Sequence, residues 1–86
     1  MEIKHLEKKC RKYVIAALSS PTMYLHKTLG EAKYTFIKDI EGATKTEKLK
    51  AAKWVQRNYY HDTHDYDMQT IILPLDVTYE LIEEDN

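Results

Sequence analysis

All thirteen Lys and Arg side chains of this 86-residue chain lie between Lys4 and Arg57, while Asn58 to Asn86 holds eight Asp and Glu and no basic side chain. Against the thirteen cations stand six carboxylates in residues 1–57 (Glu2, Glu7, Glu31, Asp39, Glu41, Glu47), leaving +7 there; the eight later carboxylates leave −8. The net charge of −1 therefore conceals a dipole. Such a chain either neutralises its two ends against each other, in the fold or across a dimer, or presents one of them to a polyanion or a basic protein surface.

The length makes one domain, 1–86, with a basic helical part over 1–60 and an acidic turn and strand part over 61–86. A chain this short buries only about 60% of the surface its unfolded form exposes, so the core is thin and no cleft between domains exists. At 43% hydrophobic and 31% charged it is too apolar for a disordered tail. No apolar run approaches the roughly 18 residues that a spanning helix needs, which predicts a soluble protein. Lys8, Lys9, Arg11 and Lys12 interrupt the only early hydrophobic stretch, against a secretory signal. The single cysteine, Cys10, rules out an internal disulfide and fits a reducing cytoplasm.

Between Glu2 and Leu18 the apolar residues Ile3, Leu6, Cys10, Tyr13, Val14 and Leu18 recur at steps of three and four, which predicts an amphipathic helix with a basic outer face. Ser20-Pro21 breaks the chain before Met23, Tyr24 and Leu25. Thr28 and Glu31 have capping-box spacing, and Leu29, Ala32, Phe36 and Ile40 give a second helical stripe, although Tyr34 to Ile40 is equally good strand material. Gly42 ends that element. Thr44 and Glu47 repeat the capping box, and Leu49, Ala52, Trp54, Val55 and Tyr59 sustain a helix to about Tyr60. Its outer face carries Lys45, Lys48, Lys50, Lys53 and Arg57. His61 to Asp67 reads as an exposed turn, Met68 to Leu73 as a strand stopped or placed at an edge by Pro74, and Leu75 to Leu81 as a second strand with one wet face.

The expected fold class is α+β: a single small helix-dominated domain with a short C-terminal antiparallel strand pair packed on the helices. The expected core is Ile3, Leu6, Val14, Leu18, Phe36, Ile40, Leu49, Ala52, Val55, Ile71, Leu73 and Val77, with Trp54 also buried.

His61 and His64 stand one helical turn apart among carboxylates, a pattern that two metal ligands would show. A structural zinc site usually needs four protein ligands, so a solvated turn is the expectation and no metal site is assigned. Cys10 falls on the apolar stripe, where packing rather than nucleophilic chemistry is expected. No phosphate-cradling glycine loop, nucleophile elbow or carboxylate pair in an apolar setting is present in the sequence, so neither an enzyme nor a cofactor is expected. The lysines of the 45–57 helix are suited to a nucleic-acid backbone, the reading of the chain as a small nucleic-acid-binding regulator. The stretch Tyr59, Tyr60, Asp62, Asp65, Tyr66, Asp67 combines rigid contact area with carboxylates able to pair with arginines that otherwise grip DNA.

From Trp54 to Leu73 the chain resembles the C-terminal part of a small phage-encoded anti-CRISPR family that inhibits type II-A Cas9, the matched positions being Trp54, Gln56 and Asp67 to Ile71. In that family an acidic stretch mimics DNA where Cas9 reads the protospacer-adjacent motif. The resemblance implies a phage protein in the bacterial cytoplasm that binds a basic nucleic-acid-binding protein, with Cas9 as candidate, stoichiometrically. Asp62, Asp65 and Asp67 would meet the motif-reading arginines, Tyr59, Tyr60 and Tyr66 would supply contact area, and Glu83, Glu84 and Asp85 would extend the acidic surface. A homodimer joining basic to acidic ends is a third arrangement the charge split allows.

Overall fold

The computed structural model describes residues 5–28 and 33–82. Two 13-residue strands, β1 (His5–Ala17) and β4 (Thr70–Ile82), run antiparallel in unbroken register from the His5–Ile82 pair to the Ala17–Thr70 pair. Short strands β2 (Met23–Lys27) and β3 (Tyr34–Ile37) complete an antiparallel sheet of order β3-β2-β1-β4. A 3-10 turn (Ile40–Gly42) and the helix α1 (Leu49–Thr63) connect β3 to β4. Among the described residues the fold is a small α+β domain with one α-helix on a four-stranded sheet, so the expectation of a helix-dominated domain is overturned.

The main difference lies in β1, His5–Ala17, where the apolar periodicity over 2–18 predicts a helix. Val14, Ile15, Ala16 and Ala17 are all buried, at 5% exposure or less. Four consecutive buried residues bury both faces, as a central strand does and an amphipathic helix does not, and β-branched Val14 and Ile15 favour the extended backbone. The steps of three and four arise from Cys10, Tyr13 and Val14 without any helix. The expected C-terminal strand pair is likewise one strand, β4, whose partner is β1 at the opposite end of the sequence.

Proline is accommodated within β4 by register. The Tyr13 N–H donates to the Thr46 carbonyl at 2.8 Å and the Thr46 N–H to the Tyr13 carbonyl at 3.0 Å. Tyr13 therefore turns its backbone groups away from β4, and its partner Pro74 turns its own outward. A missing N–H there costs the ladder nothing.

Side chains alternate across the sheet. Ile15, Leu25, Phe36 and Ile72 share the face that α1 covers with Val55 and Tyr59. Ala52 is fully buried on the same helical face. The other face carries Val14 and Ala16, each 1% exposed, beside Tyr24 and Ile37. The connection before α1 closes this side, and its Gly42 approaches so near that a Cβ would lie 2.9 Å from Ile37 Cδ1. Each fully buried Leu25 or Val14 contributes about 1.5–3 kcal/mol by leaving water.

Of the other expected core members, Phe36, Ile40, Leu73 and Val77 are half-buried, while Leu18, Leu49 and Ile71 are exposed. The side chains of Ile3 and Leu6, like the proposed capping pair's Glu31 and the stripe's Leu29 and Ala32, lie outside the described residues. The segment 34–37, open to either reading, is a strand. Ser20-Pro21 forms the β1–β2 turn with a cis peptide. The helix expected to reach Tyr60 is present and continues to Thr63, ending on His64 at φ 56°. The Thr44–Glu47 capping box does not form, because Lys48 occupies the N-cap, Thr44 Oγ1 accepts the Lys27 N–H, and Glu47 pairs with Lys12. Among the described residues no helix is long and apolar enough to cross a membrane.

Beyond Tyr13 the paired strands outrun the rest of the sheet, giving a molecule of 55 × 27 × 22 Å. In this ribbon the two halves of the charge split meet: Arg11 Nε donates to Asp76 Oδ1 at 3.1 Å.

Candidate nucleic-acid interface

At 100° per residue, the buried Ala52, Val55 and Tyr59 fix the inner face of α1. Lys50, Lys53, Trp54 and Arg57 then fall together on the opposite face, and all four are exposed. Lys48, at the N-cap, extends the ridge. Among the described residues none of Lys48, Lys50, Lys53 and Arg57 is ion-paired. A shallow hollow of about 420 Å³ opens between Lys48, Lys50, Ala51, Trp54 and Arg57.

Trp54 was expected in the core, yet it is 56% exposed. Its ring is oriented from the sheet: the Lys27 ammonium, at the end of β2, stands 5.7 Å from the indole centroid and 5.8 Å from that of Tyr34. Both are within the reach of a cation–π contact. Lys27 is the member that the sequence did not reveal, because it reaches the ridge only through the strand order. The wheel position of Trp54 among Lys50 and Arg57 was the available signal for the indole itself. Lys45, expected on this face, precedes the helix and donates to the Ile40, Glu41 and Ala43 carbonyls at 2.8–3.3 Å, closing the 3-10 turn. It adds no charge to the ridge.

The acidic turn is organised differently. Tyr59, expected as contact area, is buried at 4% exposure and packs edge-on against Tyr34 and Phe36. Its hydroxyl donates to Asp65 Oδ2 at 3.0 Å. Tyr60 is half-buried and donates to the Met68 carbonyl at 2.6 Å. Tyr66 alone of the three is exposed, at 68%, its ring stacked on Tyr60. Asp62 accepts from the Tyr34 hydroxyl at 2.7 Å and lies 3.2 Å from His61 Nδ1. The Tyr34 hydrogen bond holds its carboxyl below the usual range. Burial first, and then Asp62, push the Tyr34 phenol up to about 12, and burial followed by Asp65 pushes up Tyr59. Asp67 is exposed in the turn, while Glu83, Glu84 and Asp85 lie outside the described residues. His64 leans toward Tyr66 rather than toward His61, so the two imidazoles serve different neighbours. Cys10 is half-buried on the ribbon, paired with Val77.

Two hydrogen bonds explain why Gln56 follows Trp54 at the helix and precedes β4. Gln56 Nε2 donates to Thr70 Oγ1 at 2.9 Å, and Tyr60 shares that hydroxyl at 2.8 Å, pinning the start of β4 to α1. The matched Trp54 and Gln56 thus differ in role: one is on the surface, the other a structural clasp.

Compared with known proteins, the chain matches no family model, no curated protein and no solved structure.

Proposed function

We propose that the chain binds nucleic acid, single strands above all, through the outward face of α1. The observation that carries this is the half-exposed Trp54 ring set among Lys27, Lys48, Lys50, Lys53 and Arg57, with the helical cations lacking carboxylate partners among the described residues. An aromatic face accepts an unpaired base irrespective of sequence, and flanking cations hold the adjoining phosphates. Duplex DNA offers the cations the same phosphates but gives the indole no exposed base face, so it binds more weakly.

Trp54 is the only tryptophan, so its fluorescence reports the contact directly. Titration with a single-stranded oligonucleotide should quench it. Four phosphate contacts predict a slope of about −3 in log affinity against log salt, a loss of roughly fifty-fold between about 50 and about 200 mM. Replacing Lys50, Lys53 and Arg57 by Gln should remove about two units of that slope. Trp54→Ala should cost about 1–3 kcal/mol, measured with a labelled strand. Unaltered affinity in both variants would sink the reading.

The reading that the local resemblance implies, an acidic surface placed against Cas9, draws on Tyr66, Asp67 and the carboxylates of Asp62 and Asp65. It has weaker support, since Asp62 and Asp65 each already accept a tyrosine hydroxyl. Capture of guide-loaded Cas9 that survives the Gln substitutions and is lost on changing Asp62, Asp65 and Asp67 to Asn would favour it instead.

A further inference from the structure

The outer edge of β4 is a second surface, apart from the outward face of α1. Because Pro74 turns outward, the period of two also turns the backbone N–H and C=O of Asp76 and Thr78 outward. No strand among the described residues pairs with that edge. The sheet is thin here: β2 meets β1 at Ala16 and Ala17, so Leu75 to Tyr79 belong to a ribbon of two strands. Such a ribbon is marginally stable in water, and further strands with an apolar face are what complete it. Leu75, Val77 and Tyr79 supply that face, lining with Ile40 a groove of about 470 Å³ on the side away from α1. Tyr79 is 52% exposed there.

The strand that fits this edge is β4 itself. Laid antiparallel about a two-fold axis at Val77, two copies set Val77 opposite Val77 and Leu75 opposite Tyr79 on the groove face, and Asp76 opposite Thr78 on the other. Asp76 and Thr78 then exchange both main-chain hydrogen bonds, and symmetry repeats the pair, giving about four bonds. Asp76 keeps its ion pair with Arg11, which lies on β1 and outside the junction. Other centres fit less well. On Thr78, Asp76 faces Glu80; on Asp76, two carboxylates meet; on Leu75, Pro74 faces Asp76 with no N–H to donate; on Tyr79, less of β4 is paired. The cations around the edge do not oppose the pairing. Lys12 is held by Glu47 at 3.2 Å, and the Lys45 ammonium is directed to three carbonyls. Lys8 and Lys9 stand on β1, three strand spacings or about 14 Å from β1 of the other copy, beyond the screening length of about 8 Å. We propose that β4 pairs with β4 of a second copy in the Val77-centred register. Opposite residues share a face, so the two four-stranded sheets join with both α1 helices on one side.

Sedimentation equilibrium of the full chain, without nucleic acid, should show monomer and dimer in exchange with a dissociation constant below about 100 μM. Thr78→Pro removes one outward donor and, like Pro74, none that the fold uses; it should weaken the dimer at least about tenfold, the worth of roughly one hydrogen bond. Circular dichroism establishes that this variant is folded. Cross-linking reads the register independently. In a Cys10→Ser background, two Val77→Cys chains hold their Cα atoms about 4.5 Å apart at a non-hydrogen-bonded pair, within the span of about 4.4–6.8 Å that a disulfide bridges, so mild oxidation should yield a covalent dimer. Tyr79→Cys in the same background faces Leu75 rather than its own counterpart and should stay monomeric on a denaturing gel. A parent that is monomeric at about 100 μM, a folded Thr78→Pro that dimerises as the parent does, or cross-linking through Tyr79→Cys instead of Val77→Cys would each overturn the proposal. So would a dimer that dissociates when Lys50, Lys53 and Arg57 are changed to Gln, since α1 would then hold the contact.

Discussion

The Tyr34–Asp62 hydrogen bond makes alkaline stability a specific test of how β3 is tied to the end of α1. The hydroxyl lies 2.7 Å from the carboxylate and is partly buried, so the phenolate would stand beside an existing anion. This raises the folded-state value to about 12, against about 10 in an unfolded chain. A group that holds its proton more tightly when folded contributes stability fully below its unfolded value and loses it as pH rises through the folded one. Moving from about pH 9 to about pH 11 should therefore remove about 1.4 kcal/mol through Tyr34 alone. Tyr34→Phe cannot ionise and should lack this component, while costing about 1 kcal/mol at neutral pH through the lost hydrogen bond. Urea unfolding of both proteins at both pH values isolates the effect, because the other six tyrosines and the lysines are common to them. If parent and variant lose stability in parallel, the Tyr34 phenol is not held by burial and Asp62, and the reasoning fails.

Three further outcomes probe the core, the helix end and the ribbon. Leu25→Ala, at a side chain 1% exposed between Ile15, Val55 and Tyr59, should cost about 2–5 kcal/mol in chemical denaturation. His64→Gly should raise stability by about 0.5–1 kcal/mol, since His64 holds φ 56° at the helix end and glycine reaches that region without Cβ strain at the expense of unfolded-state entropy; a lowered unfolding midpoint would contradict it. Arg11→Ala should leave the urea unfolding midpoint essentially unchanged, because the pair with Asp76 is more than 60% exposed at both side chains and is screened by solvent.

How much of this was legible divides along the kind of information each element needs. The α1 stripe of Ala52, Val55 and Tyr59 is local, and the helix appears where periodicity placed it. Gly42 and Ser20-Pro21 are local breaks and also stand where expected. β1 was misread because its burial comes from β4 and β2, one of them more than fifty residues away, and steps of three and four occur in any chain with enough apolar residues. At the site, Tyr59 and Trp54 exchanged roles: the tyrosine counted as contact area is core, and the tryptophan counted as core is surface. Ring size favours burying tryptophan, but a helix inner face is set by angle, and Trp54 stands well away from Ala52 and Tyr59 around α1.

The charge split could not by itself say which charges are spent, because that depends on register rather than on composition. In the observed pairing Arg11 stands opposite Asp76 and both project from one face. A slip of one residue would turn each side chain to the opposite face and set Arg11 against Leu75 or Val77. The ribbon's apolar residues resist that slip, since Val14 and Leu73 must keep the face they share with Ala16. Hydrophobic pairing thus fixes where neutralisation occurs, while Lys50, Lys53 and Arg57 of α1, whose inner face lies on the sheet, face solvent without an ion-pair partner among the described residues. Of the eight later carboxylates, Asp62 stands in the last turn of α1, Asp65 and Asp67 lie in the turn after it, and Asp76 is paired with Arg11 in the ribbon. The basic excess therefore concentrates on the outward face of α1, and changing Lys50, Lys53 and Arg57 should alter salt-dependent binding there while leaving the Arg11–Asp76 pair of the ribbon intact.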